Sequence, residues 1–263
     1  MRLDQYLVSE GFFESRNKAA QAIKNQEFSV NGKIAEKPSL IVDDHAMIAR
    51  VKDSVSYVAR SAQKLLHGIK IFKPDWSGRV VADFGASTGG FCQVLLEHGA
   101  AKIYAVDIGT AQLHSSLLNE ERIINREHTN ARYLQADDFP EPIYGITADL
   151  SFISIKAVLP AIYDTLVLEG EAIVLVKPQF EAGKKALNKN GVVFDLKIHR
   201  QVLKDVASYA ENLGLCVKGI SFSGLAGEKG NREYLLYLKK TDEPSIMIST
   251  AIESAVFSEE SYE

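Results

Sequence analysis

Cysteine is scarce in this chain and long apolar stretches are missing, and these absences exclude several classes of protein. Two cysteines occur among 263 residues, and the positions of Cys92 and Cys216 fit neither a zinc site nor a redox pair. We interpret both as small, partly buried thiols rather than as parts of a disulfide framework. No apolar run approaches the roughly 20 residues that span a membrane, and the first residues have scattered charges in place of a secretion signal. We therefore expect a cytoplasmic protein.

The chain also has no large excess of charge of either sign, with 30 lysine and arginine residues against 34 aspartate and glutamate residues. The formal net charge of −4 argues against a general nucleic-acid binder. Positive residues nevertheless concentrate between Lys177 and Lys204, whereas the segment after Lys240 is acidic and contains no lysine or arginine. Such a basic stripe marks either one anionic partner or a solvated loop, and composition leaves both interpretations open.

Apolar periodicity divides the chain into segments with different patterns. The amino-terminal segment has the pattern of helix, helix and hairpin, with Ser15 as a helix cap and Asn31-Gly32 as the hairpin turn. From Val80 onward strands and helices alternate, which predicts a largely parallel sheet covered on both faces and an antiparallel edge hairpin at its end. The predicted segments are a small α+β domain (1–55), a linker with one helix (56–78), the main α/β domain (79–240) and an acidic segment (241–263). The predicted strands of the main domain are 79–84, 102–107, 131–135, 145–150, 171–177, 215–222 and 232–239.

The first of these strands runs into the glycine-rich turn of VVADFGASTGGF, residues 80–91, where backbone can approach a ligand closely. A phosphate loop needs lysine after Gly90, and Phe91 stands there, which excludes a nucleoside triphosphate. A dinucleotide site needs glycine at the position of Ser87, whereas S-adenosylmethionine has no pyrophosphate and tolerates a side chain there. The turn favours S-adenosylmethionine, with a dinucleotide as the alternative.

Aspartates follow the next two predicted strands. Asp107 ends the second strand, where a carboxylate suits the ribose hydroxyls of such a ligand. Asp137 or Asp138 ends the third predicted strand, where adenine is commonly bound. Because open α/β sheets bind ligands at the carboxyl ends of their strands, we expect these side chains to lie near the glycine turn.

Charged residues in the later strands indicate the chemistry. Asp149 ends the fourth predicted strand and Lys177 the fifth. Burial disfavours the charged form of a lysine, and an uncharged lysine is a good general base for a hydroxyl group. Lys64 is a candidate second cation and Glu233 a candidate orienting carboxylate. Taken singly, Lys64 could also be a surface helix residue, and Glu233 could pair with a neighbouring cation across the hairpin.

Several longer motifs occur together in this chain. In chain order they are RLDQYLV near the amino terminus, YVARSAQKL, ASTGGF, NAR, SFISIKAVLP, VKPQFE and GNREYLLYL. Over roughly residues 1–240 the chain resembles the TlyA family, whose members are ribosomal RNA 2′-O-methyltransferases. The resemblance implies an S4-like RNA-binding domain followed by an FtsJ-like, Rossmann-type methyltransferase domain that uses S-adenosylmethionine. It also implies a cytidine of ribosomal RNA or of a ribosomal subunit as the target.

The resemblance implies roles for particular residues. The set around the ribose hydroxyl is Lys64, Asp149, Lys177 and Glu233, with Lys177 as the general base. The residues implied at the methyl donor are Gly85, Ser87, Gly89, Phe91, Asp107, Asp138 and Asp149. The basic residues expected to grip RNA are Arg2, Arg16, Lys18, Lys24 and Lys33 of the small domain. No metal is expected, because the leaving group of such a transfer is a neutral thioether.

Some positions depart from the family pattern. Ser61-Ala62 stands where Gly-Gly is frequent, and Phe194 stands where arginine is common, which removes one basic contact to RNA. None of these departures touches the four residues implied at the ribose. The main alternative from another class is a ribosome-binding protein whose methyltransferase fold has lost activity. A nicotinamide oxidoreductase is a more distant alternative.

Overall fold

The structure, a computed structural model, describes residues 1–43, 46–51, 57–227 and 229–258. The chain forms two compact units, Met1–Ser56 and Tyr57–Glu263. The second unit therefore begins earlier than the main domain predicted from the sequence, and it includes the helix that was expected in a linker. It also includes the last helix of the chain, in the segment expected to be merely acidic.

The first unit packs two short helices on a small sheet. Its elements are α1 (Leu3–Ser9), α2 (Arg16–Lys24), β1 (Phe28–Val30), β2 (Lys33–Ile34) and β3 (Ile48–Arg50). Ser15 caps α2 as expected, because its hydroxyl accepts a hydrogen bond from the backbone N–H of Lys18. The sheet is antiparallel in the order β2-β1-β3, and Leu3, Leu7 and Phe28 are fully buried in the core beneath it.

The second unit is built around one seven-stranded sheet. Its elements are α3 (Ala62–Phe72), β4 (Val80–Phe84), α4 (Gly90–Glu97), β5 (Lys102–Val106), β6 (Ile123–Arg126), β7 (Ile143–Ala148), α5 (Leu159–Thr165), β8 (Leu166–Val176), α6 (Pro178–Glu181), α7 (Leu196–Asn212), β9 (Cys216–Phe222), β10 (Tyr234–Lys239) and α8 (Ile248–Phe257). The strand order is β6-β5-β4-β7-β8-β10-β9. Only β10 runs against its neighbours, so the predicted parallel sheet with an antiparallel hairpin at one edge is confirmed.

Both faces of this sheet are covered. One apolar cluster packs α5, α7 and α8 against the sheet, and a second packs α3 and α4 against the opposite face. The central strands are therefore almost continuously apolar, as in VVADF of β4 and AIVLV of β8. α3 lies close to the sheet at Gly68, where a Cβ atom would be 3.1 Å from the side chain of Leu235.

The third strand of the sheet is not where the sequence placed it. The predicted strand 131–135 is wrong, because Ala131–Tyr133 forms a single turn of 3-10 helix capped by the side chain of Asn130. The edge strand is β6, which pairs with β5 through a stretch that contains only two apolar residues, Ile123 and Ile124. An edge strand needs few buried side chains, so its apolar pattern is weak.

Candidate active site

The carboxyl edge of the sheet gathers segments that are far apart in the chain. β4 leads into the glycine turn at Gly85, β7 into Asp149 and β8 into Lys177. β10 is antiparallel to these strands, so its amino end, which follows Glu233, lies at the same edge. Lys64 reaches this edge from the first turn of α3.

Four charged side chains meet at this edge in alternating order. Lys177 Nζ lies 2.6 Å from Asp149 Oδ1. Lys64 Nζ lies 2.5 Å from Glu233 Oε2 and 3.9 Å from Asp149 Oδ2. The resemblance named these four residues as one set, and the structure brings them together.

Burial explains why the four charges are paired. Lys64 and Lys177 are each 7% exposed and Glu233 is 3% exposed. A buried charge without a partner is very costly, whereas two ammonium and two carboxylate groups in contact are neutral as a set. The sequence led us to expect Lys177 as an uncharged amine with Lys64 as a second cation nearby, and the structure places Lys177 Nζ beside the carboxylate of Asp149.

Polar neighbours extend the set at both ends. Lys177 Nζ donates a hydrogen bond to the hydroxyl of Ser151 over 3.1 Å. At the other end, Gln179 Nε2 donates to Glu233 Oε1 over 2.8 Å. The geometry is therefore a continuous polar chain in which each charged group is held by at least one neighbour.

The glycine turn has a backbone that only small residues permit. Gly85 and Gly89 have φ angles of +85° and +92°, in the left-handed region that favours glycine. A Cβ atom on Gly85 would lie 2.9 Å from the side chain of Leu150 and 3.0 Å from the carbonyl oxygen of Asp149. Ser87 is also left-handed, with a φ of +47°.

Asp107 fastens this turn to the end of the next strand. Its carboxylate accepts hydrogen bonds from the backbone N–H of Ser87 at 2.8 Å and from that of Gly109 at 2.7 Å. The carboxylate is thus held at the carboxyl end of β5, where the sequence placed a ribose ligand. Each of its oxygens keeps a further lone pair for a hydroxyl group.

One cavity of about 580 Å³ joins the turn to the charged set. Gly85, Ser87 and Phe91 line it together with Lys64, Asp149, Lys177 and Glu233. Its size is within the range of cofactor and substrate sites. A ligand at the glycine turn and a second reactant beside Lys177 would therefore share one cavity.

Comparison with known proteins agrees with this geometry. The family model of FtsJ-like methyltransferases matches residues 57–240, and that of the S4 domain matches residues 1–48. The 16S/23S rRNA (cytidine-2′-O)-methyltransferase TlyA of Mycobacterium tuberculosis is 39% identical over 256 residues, which cover 97% of this chain and 95% of that protein. This chain belongs to the TlyA family of FtsJ-like methyltransferases.

Other members of the TlyA family carry a different name. Hemolysin A of Brachyspira hyodysenteriae is 36% identical over 239 residues, which cover 90% of this chain and 99% of that protein. The solved structure of a "putative hemolysin from Streptococcus thermophilus" superimposes with a TM-score of 0.74 at 37% identity, covering 97% of this chain and 94% of that one. Among the described residues no helix is both long and apolar enough to cross a bilayer.

The cofactor of the family is S-adenosylmethionine, and the residues at the cavity fit it. The turn presents backbone without large side chains, as a close approach requires, and Asp107 offers a carboxylate beside it. No group of histidine, cysteine, aspartate or glutamate side chains within the described ranges is arranged to hold a metal ion.

Not all residues implied at the methyl donor line this cavity. Gly89 and Asp107 are not among the lining residues, although Asp107 accepts a hydrogen bond from the backbone N–H of Ser87, which does line the cavity. Asp138 is exposed, accepts a hydrogen bond from the backbone N–H of Gln135, and lines a separate shallow depression with Lys102 and Arg126. The reason is the misplaced third strand, because Asp138 ends a short 3-10 turn and not a strand of the sheet.

Basic residues surround the mouth of the cavity. Arg60 and Lys229 line it directly. Lys184, Lys185 and Lys189 are exposed in the segment whose Leu187 and Gly191 also line the cavity. These three lysines belong to the basic stripe between Lys177 and Lys204, for which composition alone left both an anionic partner and a solvated loop open. The structure places them next to the cavity.

Phe152 was missed by the sequence reasoning, although it stands inside the motif SFISIKAVLP. Its side chain is 92% exposed at the cavity, and its φ of +63° is unusual for a bulky residue. The ring centroid lies 5.3 Å from that of Phe180. An exposed aromatic residue with a strained backbone beside a charged site is a signal for ligand contact that no apolar pattern could give.

The expected RNA-binding residues of the first unit lie on its surface, but three of them are already engaged. Arg2 and Arg16 share the buried carboxylate of Asp4, with nitrogen–oxygen distances of 2.9 and 3.2 Å. Lys18 pairs with the exposed Glu14. The remaining two, Lys24 and Lys33, are exposed.

Proposed function

We propose that this protein methylates the 2′-hydroxyl of a ribose in ribosomal RNA, with a cytidine as the target. The observation that carries the proposal is the cavity that holds both the glycine turn and the ion pair of Lys177 with Asp149. The TlyA protein of Mycobacterium tuberculosis is named as a 16S/23S rRNA (cytidine-2′-O)-methyltransferase, and that of Campylobacter jejuni, 37% identical, as a 23S enzyme. Both names support the same reaction here.

Lys177 is the residue that we assign to removal of the hydroxyl proton. S-adenosylmethionine, when bound, supplies an electrophilic methyl group on a positively charged sulfur. Lys177 lines the cavity, and Nζ in its uncharged form can accept the hydroxyl proton. Asp149 keeps Nζ in place at 2.6 Å, and Ser151 gives it a second partner.

Lys64 and Glu233 support the pair of Lys177 and Asp149 through the contact of Lys64 with Asp149. Glu233 holds the Lys64 ammonium at 2.5 Å, and Lys64 in turn faces the second oxygen of Asp149 at 3.9 Å. Asp149 is thereby fixed between two cations, so its carboxylate cannot swing away from Lys177. Orientation of this kind can lower a barrier by about 7–11 kcal/mol when two reactants are held in line.

The outer surface of the site suits an unstacked nucleotide. The ring of Phe152 is exposed at the mouth, where a base could stack on it, a contact worth about 1–3 kcal/mol. Arg60 and Lys229 at the cavity can hold the adjoining phosphates. The first unit adds basic residues such as Lys24 and Lys33, which would contribute affinity and placement without reading sequence.

The reaction can be tested by methyl transfer from labelled S-adenosylmethionine to ribosomal RNA, to separate subunits and to whole ribosomes. Mapping ribose methyl groups on RNA from cells with and without the protein would identify the nucleotide. We expect one or a few cytidines to lose their 2′-O-methyl group when the protein is absent. Tight binding to ribosomal RNA with no transfer to any of the three substrates would favour the alternative, a non-catalytic ribosome-binding protein.

A further inference from the structure

Five cations of the second unit gather at the mouth of the cavity, and none of them belongs to the set of four charges inside it. We call them the basic rim, and its members are Arg60, Lys184, Lys185, Lys189 and Lys229. All five are exposed, and none forms an ion pair with a carboxylate of the described residues. Arg60 and Lys229 line the cavity, and the other three lie in the segment 183–191, whose Leu187 and Gly191 line it too.

The segment 183–191 contains a turn that its own hydrogen bonds close. The side chain of Asn188 accepts hydrogen bonds from the backbone N–H groups of Asn190 and Val192, each at 2.9 Å. The backbone N–H of Gly191 donates to the carbonyl oxygen of Asn188 at 3.0 Å. Because a turn closed in this way loses little backbone freedom when a ligand binds, its lysines are already positioned beside the cavity.

The loop between β9 and β10 connects the parts of the basic rim. Asn231 of this loop is 4% exposed, and its Nδ2 donates to the carbonyl oxygen of Gly191 at 3.0 Å. Arg60 Nη2 donates to the carbonyl oxygen of Ala226, in the same loop, at 3.2 Å. Lys229 also belongs to this loop, and its Nζ lies 3.9 Å from the position that a Cβ atom would take on Gly191. Three segments that are distant in the chain therefore form one continuous basic surface.

The acidic side chains of the cavity do not compensate the charge of the basic rim. Among the described lining residues the carboxylates are those of Asp149 and Glu233, and these lie beside Lys177 and Lys64. The five cations are therefore a local excess on a chain whose formal net charge is −4. An excess of this kind attracts a polyanion to one place on the surface and not to the molecule as a whole.

The aromatic residues beside the basic rim indicate the form of this polyanion. Phe152 is 92% exposed at the same cavity, and its ring centroid lies 5.3 Å from that of Phe180. Surfaces that bind single-stranded nucleic acid combine cations for the phosphates with aromatic rings for the bases. A base inside a duplex does not offer its face to a protein ring, so the combination fits a single strand better than a helix.

We propose that the basic rim binds the phosphates that flank the target nucleotide in a single-stranded stretch of RNA. The inference rests on the proposed function and deepens it, because it names the form of RNA that the site accepts and the segment that holds it. Lys184, Lys185 and Lys189 do not line the cavity themselves. They therefore contribute to RNA affinity and not to the chemical step.

The first experiment uses the full chain and a single-stranded RNA of about ten nucleotides around the nucleotide mapped in cells. In the triple variant Lys184→Gln, Lys185→Gln and Lys189→Gln, KM for this RNA should rise about 10–50-fold, with kcat within about twofold of wild type. The slope of the logarithm of the binding constant against the logarithm of the salt concentration should become shallower by about two, because three phosphate contacts are lost.

The matched control removes the same charge from other exposed positions of the second unit. The triple variant Lys70→Gln, Lys73→Gln and Lys204→Gln alters three exposed lysines that do not line the cavity. It should change KM by less than about threefold. A control that weakens RNA binding as much as the first triple variant would overturn the proposal, because the effect would then depend on total charge.

Uncharged phosphates test the contact itself. In a second RNA the phosphates next to the target are replaced by methylphosphonates, on the 5′ side, on the 3′ side or on both. Replacement on both sides should weaken binding to the wild-type protein about tenfold, and binding to the triple variant at Lys184, Lys185 and Lys189 by about twofold or less. Equal weakening of both proteins would show that these lysines do not contact the flanking phosphates. Binding of a duplex as tight as that of the single strand would contradict the single-stranded form.

The two proposals can fail separately. RNA binding that depends on the basic rim, without methyl transfer to any RNA, would contradict the proposed function alone. Methyl transfer with an unchanged KM in the triple variant would contradict the present inference alone. Fluorescence of the buried Trp76 shows whether each variant is folded. If the triple variant does not fold, the three single substitutions replace it, each with an expected rise in KM of about two- to fourfold.

Discussion

The two units differ in the exposure of the cations that pair with their buried carboxylates. In the first unit the carboxylate of Asp4 is buried, but the guanidinium groups of Arg2 and Arg16 that neutralise it remain 41% and 54% exposed. In the second unit the buried carboxylate of Glu233 is paired with Lys64, which is buried as well. The exposed guanidinium groups remain accessible to a phosphate, whereas the buried cations can contact only what enters the cavity.

A third buried carboxylate shows what happens without any cation. Asp83 on β4 is 1% exposed, and its partners are the hydroxyl of Thr147 at 2.8 Å and the thiol of Cys92 at 3.3 Å. Burial raises the pKa of Asp83 to about 7, whereas hydrogen bonding to Arg2 lowers the pKa of Asp4 to about 2. Partners, not residue type, decide whether a buried carboxylate carries charge near neutral pH.

The largest effect is expected when a buried cation of the second unit is removed. Lys177→Met should lower kcat for methyl transfer by about 10²–10⁴-fold, because the hydroxyl loses its base. Binding of RNA should be nearly unchanged, since Lys177 is 7% exposed inside the cavity. The measurement is single-turnover methyl transfer beside RNA affinity, with Lys204→Met on the exposed face of α7 as the control. A Lys177→Met protein with wild-type kcat would remove Lys177 from the mechanism.

The next largest effect concerns the carboxylate without a cation. Because the pKa of Asp83 is raised when folded, its contribution to stability is present below about pH 4 and is lost as the pH rises toward 7. Asp83→Asn should therefore gain stability relative to the wild type over that interval, by up to about 4 kcal/mol at pH 8. Urea unfolding followed through Trp76 at several pH values measures the difference. A difference that does not change with pH would show that Asp83 is charged or neutral in both states alike.

For Asp4 we expect a contribution to stability whose pH dependence has the opposite sign and a smaller magnitude. Its pKa is lowered in the folded protein, so the stability it contributes is present above about pH 4 and is lost as the pH falls through 2. Since its partners are half exposed, we expect about 1–2 kcal/mol. Hydrogen exchange of α1 amides should be faster in Asp4→Asn than in the wild type at pH 6, and the two should converge as the pH approaches 2. Persistent divergence at low pH would contradict this assignment.

The smallest effect is expected for the exposed cations. The double substitution Lys24→Gln and Lys33→Gln should weaken RNA binding several-fold and leave kcat unchanged. The slope of the logarithm of the binding constant against the logarithm of the salt concentration should become shallower by about one to two. Lys37→Gln, in the same unit and outside the proposed set, is the control for loss of charge. Equal weakening by the control would mean that the first unit attracts RNA only through its total charge.

The sequence was sufficient for much of the fold. Continuous apolar strands, a turn without large side chains and residues with charge at strand ends were enough to predict the main sheet and the glycine turn. They were not enough for β6, whose two apolar residues at an edge leave little pattern. Asp138 accordingly ends a short 3-10 turn and not the strand that was expected there. The segment boundaries also shifted, because α3 and α8 complete the core of the second unit.

The residue types at the site were determined by the sequence alone, since the motifs contain Lys64, Lys177 and Glu233 in order and Asp149 stands two residues before SFISIKAVLP. Their pairing was decided only by the tertiary structure. Lys64 and Glu233 are 169 positions apart, and they meet because antiparallel β10 brings its amino end to the carboxyl edge of the parallel strands. The exposure of Phe152 depends in the same way on what surrounds it. A side chain's charge and hydrogen-bonding capacity belong to its residue type, but its burial and its partners are set by segments that are distant in the chain.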